Sequence, residues 1–180
     1  MSARIAPAEP PFSAAIQKRL DAIMPPGAPP LILFTTLARD ERLFSRFMDG
    51  GLLDKGWLTL RQREIVIDRV TARCGSEYEW GVHVAFFAER AGLTAQQVRG
   101  FRSAGADDPC WSAEDRLLIG LCDQLGEACD IDDGLWAELE AAFPPPAIIE
   151  LILLAGFYRT VSCLTNALRL PLEDGAARFA

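Results

Sequence analysis

The stretch from Leu58 to Leu93, LTLRQREIVIDRVTARCGSEYEWGVHVAFFAERAGL, restricts the fold of this chain more than any other. Thr59 is an N-cap for a helix carrying Glu64, Ile65, Ile67 and Val70, and Gly75 falls where that helix must stop. A second helix begins at about Ser76. Two helices joined by so short a link pack antiparallel. On the second helix Ser76, Glu79 and His83 follow at steps of three and four, which sets them on one stripe of its surface. Glu64 on the first helix faces that stripe. The expectation is that two carboxylates converge on the only histidine in the chain.

Before this pair, Phe12 to Met24 reads as a helix with Phe12, Ile16, Leu20 and Ile23 inward, ended by Pro25, Pro26, Gly27, Pro29 and Pro30. The apolar segment LILFTTLA from Leu31 resembles a strand, but no partner strand is visible, so a helix is expected. Glu41–Leu53 carries an apolar face of Leu43, Phe44, Phe47 and Met48. After Gly92, Thr94 with Gln97 makes a capping box for a short helix ending near Gly105. Ser112 with Asp115 opens a helix over Glu114–Gly126, and Asp132 or Asp133 caps another through Phe143. The last helix, Ala147 to about Leu168, is apolar on most of its circumference and belongs in a core or an interface. The sum is an all-α chain of roughly eight helices.

At 180 residues, half of them hydrophobic, the chain is long enough to bury a real core. Its net charge of −7 disfavours nucleic acid and anionic membrane as partners. The five cysteines, Cys74, Cys110, Cys122, Cys129 and Cys163, form no CxxC and no zinc constellation, and read as reduced thiols; Cys74 is expected to pack at a helix end. Met1 to Pro11 lacks the apolar core of a signal peptide, and the apolar run from Ala147 to Tyr158, interrupted by Glu150, is too short to span a bilayer. The expected location is the cytoplasm. No cofactor or metal is expected.

The pattern L-x-x-R-x-R-E-I-V-I-x-R-V, followed by S-E-Y-E-W-x-x-H-V and A-G-L-T, resembles the carboxymuconolactone decarboxylase-like family, which includes alkylhydroperoxidase D. The resemblance is strongest from Gly56 to Gly92 and continues more loosely to Asn166 through Gly156, Phe157, Tyr158, Arg159, Val161 and Ser162. It implies the alkylhydroperoxidase D-like helical fold and a homo-oligomer, a trimer or hexamer. Residues 1–55 then form an N-terminal helical extension, 56–170 the family domain and 171–180 a tail. In the peroxidase branch a Glu, two cysteines and a His stand at the positions of Glu64, Ser76, Glu79 and His83. A hydroxyl and a carboxylate cannot form the disulfide of a dithiol cycle, so peroxidase chemistry is not expected.

What the replacement leaves is proton transfer. The resemblance and the stripe together put His83 in the role of proton donor, Glu64 as its orienting partner and Glu79 as a second carboxylate. Ser76, Tyr78, Trp80, Tyr158 and Arg159 are candidates for contacting a substrate, although Ser76 serves equally well as an N-cap and the others as packing residues. Asp68 lies four residues from Glu64 and either faces the same site or pairs with Arg61, Arg69 or Arg73. The expected activity is a cofactor-free lyase or isomerase reaction on a lactone, ketone or aromatic-pathway metabolite. The alternative is a helical oligomer that binds a small ligand or a partner without chemistry.

Overall fold

A computed structural model describes residues 3–52 and 54–179. Among them are nine α-helices and no strand. They are α1 (Ala14–Ile23), α2 (Ile32–Leu37), α3 (Glu41–Asp49), α4 (Leu60–Arg73), α5 (Glu77–Phe87), α6 (Ala95–Ser103), α7 (Ala113–Ala128), α8 (Asp133–Ala142) and α9 (Pro145–Leu168). The short LILFTTLA segment is the helix α2, and the expected end of α3 at Leu53 lies outside the described residues.

Helix α4 is the axis of the molecule. Every residue from Glu64 to Ala72 is buried, because α5, α6, α7 and α9 surround it. Thr59 caps it in a reciprocal box with Gln62, and the same device starts α6 at Thr94 and α7 at Ser112. Helix α7 runs parallel to α4, held by two rungs: Arg61 to Asp115 at 2.7 Å and Arg69 to Asp123 at 2.6 Å. Helix α5 returns antiparallel after the turn at Gly75, whose φ of 65° suits glycine. Helix α9 is antiparallel to α5, pairing Tyr158 with His83 and Thr165 with Ser76.

By length and composition α9 could cross a membrane, but here its buried face, from Ile148 to Thr165, lies against α4 and α5. The Glu150 that interrupts its apolar run accepts the Trp57 backbone N–H at 2.7 Å and so pins the segment entering α4.

The first three helices form a layer with a small core of their own, Ile16, Leu20 and Phe44, packed by Phe12, Phe34 and Met48. Helix α2 joins this layer to the body, since Phe34 packs against both cores and Leu33 is buried in the main one. At the other end the segment after α9 straps α5. Ala177 N–H donates to Gly81 O at 3.0 Å, Phe179 N–H donates to Glu77 at 2.9 Å, and the Phe179 ring lies 4.9 Å from Trp80. A Cβ at position 81 would run into the Ala177 carbonyl. Gly81→Ala is therefore expected to lose about 1–3 kcal/mol in urea unfolding and to make the tail protease-sensitive; an unchanged midpoint would contradict this packing.

Candidate functional site

His83 sits at 4% exposure where α4, α5 and α9 meet. Its Nδ1–H donates to Glu64 Oε2 at 2.8 Å, and its Nε2 lies 3.1 Å from the Tyr158 hydroxyl and 3.5 Å from Glu79 Oε1. Tyr158 stands edge-on to the imidazole, with ring centroids 5.1 Å apart. The structure thus brings together Glu64, Glu79, His83 and Tyr158.

Burial by itself pulls the histidine pKa down. The charge and hydrogen bond of Glu64, followed by those of Glu79, outweigh it and push His83 up to about 10. At neutral pH the ring is an imidazolium with a proton on each nitrogen. Tyr158 is held as a neutral phenol, first by burial and then by the nearby Glu79 and Glu64 charges, which raise its pKa.

One side of this cluster opens on a cavity of about 730 Å³. Its walls are mostly apolar, with several aromatic rings: Phe34 and Phe47 come from the N-terminal layer, Phe86 and Phe87 from α5, Phe157 and Val161 from α9. His83, Glu79 and Tyr158 reach the cavity, whereas Glu64 and Asp68 lie behind His83, away from it. Glu79 Oε2 is buried and has no hydrogen-bond partner among the described residues, so its accepting capacity is unmet in the free site. No cysteine lines this cavity. Among the described residues no group of three or more His, Cys, Asp and Glu side chains is arranged to hold a metal ion.

Four other candidates stand elsewhere. Ser76 is fully buried and is the N-cap residue of α5, but its hydroxyl is shared with Thr165 at 2.8 Å instead of capping the helix, and it does not line the cavity. Tyr78 points to the opposite side of α5, where it donates to Glu173 and accepts from Leu33 N–H. Trp80 packs under the C-terminal strap. Arg159 donates to Gly126 O at 2.9 Å and lines a separate cavity of about 260 Å³ beside Cys74, Cys122 and Cys129. The cavity walls given by Phe34 and Phe47 were missed, because those residues lie in the part of the chain that carries no motif. Arg90, also on the cavity, was missed too; continuing the steps from Glu79 through His83 would have reached it.

The structure decides between the two readings of Asp68. Arg61 is taken by Asp115, and Arg69 and Arg73 by Asp123, so no surface pairing exists. Asp68 is 0% exposed and neither of its carboxyl oxygens has a partner. Burial first and the Glu64 charge second raise its pKa well above the usual carboxylate range, against the opposing His83 charge. An unpaired buried carboxyl keeps its proton.

Both raised values have the same sign in the pH dependence of stability. The folded state holds the Asp68 proton after the unfolded chain has lost it, so this contribution is present below the unfolded Asp pKa and is lost as pH rises. The slope is about 1.4 kcal/mol per pH unit up to the folded value. The His83 contribution is present below an unfolded pKa near 6.5 and is lost as pH rises toward about 10. Asp68→Asn should remove the first slope and leave the second. Urea midpoints of both proteins from pH 4 to 9 measure the difference, and parallel curves would show that Asp68 is ionised in the fold.

The carboxymuconolactone decarboxylase family matches residues 41–119, a segment that contains Glu64, Asp68, Ser76, Glu79 and His83. Several solved structures share the fold. An uncharacterized peroxidase-related protein from Silicibacter sp. has 17% identity over 99% of this chain and 96% of its own, with a TM-score of 0.80. An alkylhydroperoxidase AhpD core protein from Ralstonia eutropha, also peroxidase-related and uncharacterized, has 15% identity over 96% and 95%, with a TM-score of 0.81. A protein of unknown function from Agrobacterium tumefaciens has 18% identity over 72% and 84%, with a TM-score of 0.59. At these identities the likeness is one of fold. No curated protein matches the chain in sequence.

Proposed function

We propose that this chain, a member of the carboxymuconolactone decarboxylase and alkylhydroperoxidase D-like superfamily, is a cofactor-free acid–base enzyme that moves a proton on an enolisable carbonyl compound, as a lyase or isomerase does. The observation that carries the reading is His83 at the wall of an apolar cavity, hydrogen-bonded to Glu64 at 2.8 Å on one side and with Glu79 3.5 Å away on the other.

The roles follow from donor and acceptor capacity. His83 Nε2–H is the acid, directed at a carbonyl oxygen on which negative charge develops. Glu64 fixes the ring and offsets its charge. Glu79 Oε2 is the base that takes a proton from the carbon next to the carbonyl, and the reverse transfers return one to a different carbon or to the same one. In the free site the His83 Nε2–H donates to the Tyr158 hydroxyl oxygen, 3.1 Å away on a neutral phenol, and the substrate carbonyl takes the place of this contact. The two carboxylates around His83 make the reacting end of the substrate a neutral group, such as a lactone or ketone carbonyl. A dithiol peroxidase cycle needs a thiolate at the substrate, and the wall here offers none.

The size and apolar lining of the cavity also suit a second reading, a protein that binds a small apolar ligand without chemistry. Proton exchange separates the two. In deuterium oxide, a panel of neutral lactones and ketones should gain deuterium next to the carbonyl in the presence of the protein, followed by NMR of the compound. Glu79→Gln should slow this by about 10²–10⁴-fold while unfolding as the wild type does; His83→Gln should slow it as well and also lower the urea midpoint, because it leaves the Glu64 charge stranded. Binding without exchange in the wild type would favour the second reading and end the first.

A further inference from the structure

The cavity-lining face of α5 does not end at His83. Phe87 follows one turn later, and Arg90 nearly one turn after that, in the irregular turn that closes the helix. The imidazole of His83 is 5.4 Å from the Phe87 ring, and the Arg90 guanidinium is also 5.4 Å from that ring. A proton donor, an aromatic surface and a cation therefore follow one another along this end of α5, with seven chain steps from His83 to Arg90, which at the helical rise is roughly 10 Å.

Among the described residues Arg90 is the only arginine or lysine in the cavity wall, and no carboxylate lies within salt-bridge distance of it. The other charges on the wall are accounted for differently. Asp49 is paired with Arg19 at 2.7 Å, Glu79 is beside His83, and Asp54 is exposed on the segment after α3. A guanidinium stacked on a ring keeps its N–H edge for a planar acceptor.

We propose that Arg90 is the outer anchor of the substrate site and that it takes a carboxylate. The substrate class is then an elongated apolar carbonyl compound with an acid group at its far end: the neutral carbonyl lies at His83, the apolar middle on Phe87 and the carboxylate at the mouth. This rests on the acid–base reading only for which end reacts. It also removes the objection that Glu64 and Glu79 repel an anion, because the anionic group is held two helical turns away from them.

The test uses 8-oxononanoate, its methyl ester and the short homologue 4-oxopentanoate, with dissociation constants from calorimetry and the His83 ring signal from NMR. In the wild type the long acid should bind about five-fold more tightly than its ester, the upper end of what an exposed ion pair contributes. Arg90→Gln should equalise the two and Arg90→Lys should keep part of the difference. The short acid, which cannot span the distance, should be indifferent to Arg90. Equal binding of acid and ester in the wild type, a preference that survives Arg90→Gln, or no binding of either would overturn the anchor. If the preference depends on Arg90 but the His83 signal never moves, the anchor stands and the acid–base reading fails. If exchange on the ketone end is the same in wild type and Arg90→Gln with no acid preference, the reverse holds.

Discussion

Burying a histidine between two carboxylates is costly unless the charges offset one another at close range, and much of this molecule serves that requirement. Glu64 is 1% exposed and lies 2.8 Å from His83 Nδ1, where the loss of hydration is met by a charge-assisted hydrogen bond. Removing one partner of such a pair typically costs about 3–5 kcal/mol, because the other charge is left stranded. The pair therefore demands a fixed separation between α4 and α5. The short turn at Gly75, with Ser76 N–H donating to Thr71 O at 2.9 Å, holds them antiparallel, and the Ser76–Thr165 hydroxyl pair locks α9 across both.

The same logic governs the other charges of α4. Its helix would be an odd centre for a core if judged by composition alone, since Arg61, Glu64, Asp68 and Arg69 are all drawn inward or partly so. Arg61 and Arg69 are satisfied by forked pairs to α7 and by carbonyls that close α6 and the turn before it. Glu64 is satisfied by His83. Asp68 alone has no protein partner, and it resolves the difficulty by staying neutral. Satisfied, paired and neutralised groups lie within a few turns of one helix, and the chemistry follows from which is which.

The helix pair was legible because its signals are local: Thr59, Thr94 and Ser112 are caps within three residues of their partners, and Gly75 is a turn that few other residues make. The convergence of Glu64, Glu79 and His83 was legible for the same reason, from spacing on α5 and the brevity of the turn. Ser76, Tyr78, Trp80 and Arg159 were not. Every residue from Tyr78 to His83 is buried, so α5 has no polar face to show which side meets the cavity. That choice is made by distant segments: Glu173 and Phe179 claim Tyr78 and Trp80, and Thr165 claims Ser76. The aromatic wall given by α2 and α3 was hidden for a related reason, since nothing local says which helices a small separate core will lean against.

The account depends on His83 carrying two protons at the pH where the protein works. Because it is the only histidine, ring-labelled protein gives two nitrogen signals that need no assignment. The measurement is their titration by NMR from pH 5 to 11, in the wild type and in Glu64→Gln. The wild-type ring should show the shifts of an imidazolium through pH 8 and lose its proton near pH 10, and loss of the Glu64 charge should move that midpoint down. A ring that is neutral at pH 7, or a midpoint that Glu64→Gln leaves where it was, would contradict the buried ion pair and the acid role built on it.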